Sequence, residues 1–254
     1  MITFEEAMEA RKLPEVAGLS AASLTAQDMV NLVLQRSEII RDQKKPNRYI
    51  TQWAAGNEAP IFELVEEMGH DELLRRAAAF IFLEYRELSP HLSSPKPRKI
   101  ADIGCGYALF DLFLAKEHGT RIVLIDLERN DRRHFGFDEE GAAYSSLSQT
   151  RAFLVANGVA EKLIETRNPA EDDLSDLKSL NYIFSFISCG FHYPWDTYLP
   201  FYREALSPKG RVILDFRTRR FPSVLPELGH FGYAKVLAKA AQGNATRVML
   251  APSV

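Results

Sequence analysis

Three groups of residues have types and spacing suited to ligand binding or catalysis. The first is a turn at Gly104 and Gly106, which follows the apolar stretch Lys99–Ile103. The second is Asp126, which ends another apolar stretch roughly 20 residues after the glycines, as in a nucleotide-binding βαβ unit. The third is His192, because an imidazole titrates near neutrality and suits a general base. The sequence therefore predicts a nucleotide-like ligand beside a side chain that accepts protons.

The residues around the glycines decide which nucleotide-like ligand fits. A dinucleotide site follows the pattern G-x-G-x-x-G/A, whose last small residue allows a helix to pack close to the strand. Leu109, which is large, occupies that position. Asp102 lies two residues before Gly104, where its charge would repel a pyrophosphate and attract an ammonium group. The turn therefore favours a ligand with an ammonium group and without a phosphate.

The chain after Ser93–Arg98 alternates between strand and helix patterns, and this linker is rich in serine and proline. Such alternation is typical of a parallel sheet with helices on both faces. The predicted strands are Lys99–Ile103, Arg121–Asp126, Leu163–Arg167, Asn181–Ile187 and Arg211–Phe216. The predicted helices between them are Phe110–Lys116, Ser145–Asn157 and Thr197–Leu206.

The C-terminal region allows two interpretations. Tyr233–Lys239 and Thr246–Leu250 form a β-hairpin in one of them. In the other, Phe231–Gln242 is a helix that ends at Gly243. The hairpin is the interpretation we favour.

Helix signals dominate the chain before the linker. Thr3 with Glu6 and Thr25 with Asp28 have capping-box spacing, and apolar residues recur at helical intervals from Val30 until Pro46. We expect further helices from Pro60 to Gly69 and over Ala77–Leu88. The pattern predicts a helical extension over residues 1–95 and an α/β domain over 96–254. The extension would cap the ligand cleft.

The connection before Pro60 has an aromatic and polar composition. It is either a loop that contacts ligand or an ordinary helical connection with a core tryptophan. The residues concerned are Arg48, Tyr49, Trp53, Asn57 and Glu58.

The composition limits the partners of the protein. The 254 residues carry a net charge of −3, which gives no reason to expect a nucleic acid. The two cysteines lie far apart and fit a reduced, cytoplasmic protein. The start of the chain lacks an apolar signal core, and no apolar run has the length needed to cross a bilayer. Association into a homodimer is left open.

The segment Asp102-Ile-Gly-Cys-Gly106 resembles the first motif of class I S-adenosylmethionine-dependent methyltransferases, D/E-x-G-x-G. Asp126 matches the acidic residue of that family, and Ser207–Leu214 is similar to its turn into the fifth strand. The resemblance implies a doubly wound, mostly parallel, seven-stranded α/β sheet. It also implies an enzyme with S-adenosylmethionine as cofactor and S-adenosylhomocysteine as product.

The resemblance further implies a set of cofactor contacts. The backbone at the glycines would approach the cofactor, Asp102 would face its amino group, Asp126 would accept hydrogen bonds from its ribose, and Leu127 would flank its adenine. Asn168 is the residue chosen for the adenine amino group, with Glu171 and Asp172 as alternatives. The expected cofactor-binding residues are Asp102, Gly104, Gly106, Tyr107, Asp126, Leu127, Asn168 and Ser185.

The methyl acceptor is expected beyond the fourth strand, because ligands of open α/β sheets lie outside the carboxyl ends of the strands. His192 would deprotonate an acceptor hydroxyl there, contact the substrate without proton transfer, or serve packing alone. Tyr193, Trp195 and Tyr198 would wall the pocket, although such aromatics also form core. Arg217, followed by Arg219 and Arg220, would bind an acidic acceptor or form a solvated turn. Cys189 is interpreted as a packing residue.

The segment from Glu128 to Ala143 is longer than a strand-to-helix connection requires. It would fold over the cofactor or form a solvated insertion. Its acidic residues and His134 have no recognised metal-ligand spacing, so we expect no metal. These acidic residues and the histidine are Asp131, His134, Asp138, Glu139 and Glu140.

Together these patterns predict methyl transfer to a small hydroxylated acceptor. The Phe-His-Tyr-Pro segment at 191–194 resembles bacterial sugar O-methyltransferases, which suggests a sugar or a natural-product intermediate. The alternatives are transfer to nitrogen on a small amine or RNA, and a catalytically silent protein that binds the cofactor. A nicotinamide-dependent oxidoreductase is a more distant alternative.

Overall fold

The computed structural model describes residues 1–128 and 146–253, and a seven-stranded sheet forms its centre. The strand order is β3-β2-β1-β4-β5-β7-β6. The first five strands are parallel, whereas β7 is antiparallel to both β5 and β6. The strands are β1 (Lys99–Ile103), β2 (Arg121–Ile125), β3 (Ile164–Arg167), β4 (Leu180–Ser185), β5 (Leu206–Arg217), β6 (Gly232–Ala240) and β7 (Ala245–Pro252).

Helices cover both faces of the sheet, as the alternating pattern predicts. Ten α-helices lie within the described residues, and none of them is long and apolar enough to cross a membrane. The first six are α1 (Phe4–Ala10), α2 (Pro14–Ala17), α3 (Ala26–Gln35), α4 (Asn47–Ala54), α5 (Ala59–Met68) and α6 (His70–Leu88). The others are α7 (Leu109–His118), α8 (Leu147–Ala156), α9 (Leu199–Ala205) and α10 (Phe221–Leu228).

Alternate strand residues build two apolar cores, one on each face. Ile100 and Leu124 pack with the six N-terminal helices, α7 and α8. Ala101 and Val123 face the other way and pack with α9 and α10. The N-terminal helices are therefore one layer on the α7 side of the sheet, which we call the helical layer (α1–α6).

Several predicted elements are confirmed with small changes at their ends. Both capping boxes form, at Thr3 with Glu6 and at Thr25 with Asp28. The C-terminal hairpin forms as β6 and β7. The apolar pattern predicts that the helix after Thr25 continues until Pro46, but α3 ends at Gln35. Arg36 has a non-helical backbone conformation, and a separate 3-10 helix follows over Ser37–Ile40.

Two predicted strand ends are wrong, and both lie at the edge where ligands are expected. β4 ends at Ser185 rather than Ile187, because Ile187 adopts a φ of 53°, which no strand residue has. β2 ends at Ile125, although the Asp126 amide still donates to the Arg167 carbonyl at 3.3 Å. Strand β1 pairs with β2 on one side and β4 on the other, so the strand order reverses beside it. The C-terminal ends of these strands therefore border the crevice where open α/β sheets bind ligands.

Candidate active site

The turn between β1 and α7 is the first component of the site. Gly104 has a φ of +74° and Gly106 a φ of +52°, both in the left-handed region that glycine enters without strain. A Cβ added to Gly104 would lie 2.4 Å from the Ser188 hydroxyl oxygen, so only glycine allows the loop after β4 to approach. A Cβ at Gly106 would meet no atom of the described residues within 4 Å. The turn thus presents open backbone at Gly106.

Asp126 lies directly against this turn. Its Oδ2 accepts a hydrogen bond from the Gly106 amide at 2.9 Å, and its Oδ1 accepts one from the Leu127 amide at 2.8 Å. Burial raises the pKa of Asp126 to about 6, although these amide bonds oppose the shift. The Leu127 side chain is 38% exposed beside it. The structure thus brings an acidic group and an exposed apolar side chain together at the glycine turn.

Asp102 is buried on β1, where it pairs in register with Leu124 of β2 and Phe184 of β4. Its Oδ1 is buried and has no hydrogen-bond partner among the described residues. Burial raises the pKa of Asp102 to about 6. A buried acceptor without a partner is costly, and a cationic ligand group would relieve that cost.

Tyr107 does not direct its hydroxyl to the ligand edge as a cofactor-binding residue would. The phenol is buried and donates to Asp28 Oδ1 at 3.0 Å, and the phenol oxygen accepts from the Asn31 side-chain amide at 3.5 Å. Burial raises the pKa of the Tyr107 phenol, and the nearby Asp28 raises it further. Tyr107 therefore connects the glycine turn to α3 of the helical layer.

Ser185 is also occupied by backbone contacts. Its hydroxyl donates to the Ile103 carbonyl at 2.8 Å and accepts from the Cys189 amide at 2.9 Å, and the residue is completely buried. The expected direct contact between this hydroxyl and a cofactor does not agree with that burial. Ser185 instead holds the end of β1 against the loop that follows β4.

Asn168 lies at the C-terminal end of β3, at the expected edge. Its side-chain oxygen accepts from the Ala170 amide at 3.1 Å, and its carbonyl accepts from the amides of Glu171 and Asp172. Asp172 in turn accepts from the Asn168 amide at 2.7 Å. Asn168 therefore shapes a turn after β3, and its assignment to the adenine amino group stays a prediction. The alternatives Glu171 and Asp172 are both exposed.

The loop after β4 positions His192. The Ser188 carbonyl accepts from the amides of Phe191, His192 and Tyr193 at 3.0, 2.8 and 3.2 Å, which folds the chain into a tight turn. The imidazole is half-buried, with its ring centre 5.1 Å from that of Phe191. Cys189, buried at the base of the loop, is consistent with the predicted packing role. Its pKa is raised by burial, so the thiol is not activated.

Arg217 supports this loop from β5. Its Nε donates to the Phe191 carbonyl at 2.7 Å, and its guanidinium carbon lies 4.9 Å from the centre of the Phe191 ring. Arg217 therefore supports the His192 loop, and its role as a substrate-binding residue stays a prediction. Arg219 and Arg220, expected beside it, are exposed in the turn before α10.

Trp195 begins a 3-10 turn over Trp195–Tyr198, after the His192 loop. The side chain is 7% exposed within the core on the α9 and α10 side, and its indole N–H donates to Glu227 Oε2 at 3.3 Å. Tyr198 packs against the same core. This burial favours the core interpretation of Trp195, and its place in the acceptor pocket stays a prediction. Tyr193 stays half-buried in the His192 loop.

A buried charge network next to the site has no signal in the sequence. Arg247 of β7 donates to both oxygens of Asp215 at 2.8 Å and to Glu84 of α6 at 3.1 Å. Burial alone would raise the pKa of Glu84, but the guanidiniums of Arg36 and Arg247 have the larger combined effect, so the pKa of Glu84 lies below its usual value. The guanidinium carbon of Arg247 also lies 4.3 Å from the centre of the Phe186 ring, just after β4.

Two further groups of predicted site residues lie in the connection before Pro60 and in the segment 128–143. The connection before Pro60 is mostly helix, namely α4, and Tyr49 and Trp53 pack against the core, which favours the structural interpretation. Nearly all of the 128–143 segment, with its acidic residues and His134, lies outside the described residues. Among the residues that are described, no three His, Cys, Asp or Glu side chains are grouped as metal ligands would be.

Comparison with known proteins supports the fold. No protein-family model matches the sequence, and no curated protein matches it. A candidate O-methyltransferase from Nostoc punctiforme has a similar structure, with a TM-score of 0.50 and 11% identity, over 70% of this chain. This chain spans 58% of the length of that protein. A ribosomal protein methylase from Lactobacillus delbrueckii gives a TM-score of 0.47 and 15% identity, over 71% of this chain and 80% of its own. The chain has the class I methyltransferase fold, as the sequence predicts.

Proposed function

We propose that this protein transfers a methyl group from S-adenosylmethionine to a hydroxyl of a small acceptor. The observation that carries the proposal is the meeting of three features at one sheet edge. These are the open backbone of Gly106, the Asp126 carboxylate that accepts from it, and the buried Oδ1 of Asp102, which has no hydrogen-bond partner among the described residues.

The residues present fit this cofactor. Asp102 would accept from the ammonium of the methionyl group, which supplies the missing partner of its buried oxygen. Asp126 would exchange its bond to the Gly106 amide for bonds from the ribose hydroxyls, and the exposed Leu127 would pack against the adenine. When bound, the cofactor supplies an electrophilic methyl group on a sulfonium sulfur.

His192 is our choice for the residue that receives the proton of the acceptor. It lies in the loop after β4, at the same edge as the glycine turn, and the Ser188 carbonyl and Arg217 fix that loop. Methyl transfer requires mainly that the acceptor oxygen be aligned with the methyl group and that water be excluded. His192 would take up the hydroxyl proton of the acceptor, while the bound cofactor would supply the methyl group and leave as S-adenosylhomocysteine.

A binding measurement tests the cofactor assignment. We expect S-adenosylhomocysteine to bind the wild-type protein in calorimetry and Asp126→Ala to weaken binding at least tenfold, because the ribose would lose a charged acceptor. Glu204→Ala, which removes an exposed carboxylate of α9, is the matched control and should bind as the wild type does. Titration with a nicotinamide dinucleotide should give no heat.

Two results would contradict the proposal. One is the absence of S-adenosylhomocysteine binding, and the other is unchanged binding by Asp126→Ala. If the protein binds the cofactor but methylates no acceptor in a broad panel of small alcohols, phenols and sugars, the silent cofactor-binding alternative is favoured instead. The cytoplasmic location, the homodimer and the division into residues 1–95 and 96–254 stay predictions.

A further inference from the structure

Two acidic side chains face each other beneath the glycine turn. Asp102 belongs to β1, and Asp111 belongs to the first turn of α7. Asp111 is completely buried, and Asp102 is 4% exposed. Neither oxygen of Asp111, nor Oδ1 of Asp102, has a donor among the described residues. The cofactor contacts described above use Asp102 but leave Asp111 without a role.

Two ionised carboxylates cannot hydrogen-bond to each other, since both only accept. One proton changes this, because a protonated carboxyl group becomes a donor. A hydrogen bond between the two carboxyl groups shifts their pKa values in opposite directions. It raises the pKa of Asp111 and lowers the pKa of Asp102, so Asp111 is the group that holds the proton. For both groups burial is the largest effect and favours the neutral form.

No cation of the described residues is paired with Asp111. Its position in the first turn of α7 places Asp111 near the positive end of the helix dipole, which favours the ionised form. Burial and the facing Asp102 nevertheless raise the pKa of Asp111. Arg247 favours ionised Asp102, whereas Asp126 and Asp215 oppose it. The titratable and charged groups facing the pair within the described residues are Asp126 after β2, Cys189 after β4, Asp215 of β5, Arg247 of β7 and Cys105 of the turn.

We propose that Asp111 is a neutral carboxylic acid that donates a hydrogen bond to Asp102 and so keeps Asp102 ionised and oriented toward the cofactor ammonium. Asp111 is then a positioning residue that acts through Asp102. This inference rests on the proposed function for the identity of the ammonium, but the protonation of Asp111 is a property of the protein without ligand.

The first test needs no ligand. An aspartate in an unfolded chain ionises near pH 3.9, so a buried neutral Asp111 means that unfolding releases a proton at neutral pH. Stability then falls as pH rises, because the unfolded state binds fewer protons. Asp111→Asn carries the donor permanently and removes this loss. We expect the melting temperature of Asp111→Asn, relative to that of the wild type, to rise by several degrees from pH 5 to pH 8.5.

The second test measures the affinity for S-adenosylhomocysteine by calorimetry from pH 5 to 8, in the wild type, Asp111→Asn and Asp111→Leu. Asparagine keeps the donor, whereas leucine has a similar size and no donor. We expect Asp111→Asn to keep the pH profile of the wild type. Asp111→Leu should move the profile about one pH unit upward and weaken binding about tenfold at pH 5.5, because Asp102 loses the bond that keeps it ionised. Asp126 also titrates in this range, so only the difference between variants is interpreted.

The outcomes separate this inference from the proposed function. If the melting temperature of Asp111→Asn, relative to that of the wild type, does not rise with pH, then Asp111 is ionised and the inference is overturned. Equal pH profiles for the asparagine and leucine variants would overturn it as well, since Asp111 would then only fill space. If the wild type binds no S-adenosylhomocysteine while the melting temperatures behave as expected, the proposed function and the positioning role fail, but the neutral carboxyl group is supported.

Discussion

The two sides of the ligand edge are both fixed to the helical layer, but by different chemistry. On the β1–β2 side, the Tyr107 phenol donates one hydrogen bond to Asp28 of α3. On the β4–β5–β7 side, Arg247 connects Asp215 to Glu84 of α6 through a buried network of charges. The first side holds the proposed cofactor site, and the second holds the loop with His192.

This difference shows where the sequence is informative. Cofactor binding on the first side depends on backbone shape and on carboxylates that lie close together in the chain, so Asp102, Gly104, Gly106 and Asp126 are recognisable. The second side, where we propose that the acceptor binds, is instead held by side chains brought together from distant elements. The residues of that side are therefore harder to recognise in the sequence.

Replacement of Arg247 should have the largest effect. Arg247→Met leaves the completely buried Asp215 without its cation, and the loss of one partner of a buried ion pair costs about 3–5 kcal/mol of unfolding free energy. At about 2–4 °C per kcal/mol for a chain of this size, the melting temperature should fall by about 10 °C. Scanning calorimetry measures both quantities.

The control for this prediction is Arg98→Met, which removes an exposed arginine and should change the melting temperature little. The double variant Arg247→Met with Asp215→Leu removes the unpaired charge as well and should recover much of the stability. A loss below about 1 kcal/mol in Arg247→Met would show that charges do not hold this side of the edge.

His192→Ala should have the next largest effect, on turnover. Removal of a general base lowers kcat about 100-fold, which corresponds to about 2.7 kcal/mol, while the affinity for S-adenosylhomocysteine stays unchanged. The assay uses radiolabelled S-adenosylmethionine and the best acceptor from the panel of small alcohols, phenols and sugars. His192→Gln, which can orient but not accept a proton at neutral pH, separates the two functional interpretations.

The exposed His230 provides the matched control, and His230→Ala should turn over at the wild-type rate. Near-normal activity in His192→Gln would favour orientation of the acceptor over proton transfer. Wild-type turnover in both His192 variants would leave the histidine with a packing role alone.

Much of the fold was predictable because its signals are local. The strand that ends at Ile103, the capping box of Thr25 and the hairpin of β6 and β7 each follow from neighbouring residues. The site was predictable only where the same holds. Arg247 lies 32 residues from Asp215 and 163 from Glu84, so no local pattern connects them. The left-handed backbone at Ile187 also has no signal, because a β-branched residue there is unfavourable until tertiary contacts enforce it.

The smallest expected effect tests the connection on the cofactor side. Tyr107→Phe removes the hydroxyl that donates to Asp28, and loss of a hydrogen bond to a charged group costs about 1.5–3 kcal/mol. Asp28 keeps its capping bonds to Thr25, so the lower end of that range is expected in chemical unfolding. Tyr233→Phe, at an exposed tyrosine of β6, is the matched control. Because the Tyr107 hydroxyl points to α3 and not to the ligand edge, the affinity for S-adenosylhomocysteine should change less than twofold. A tenfold loss of affinity without loss of stability would instead show that Tyr107 contacts the cofactor. The connection of the β1–β2 side to the helical layer would then not depend on the hydrogen bond from Tyr107 to Asp28.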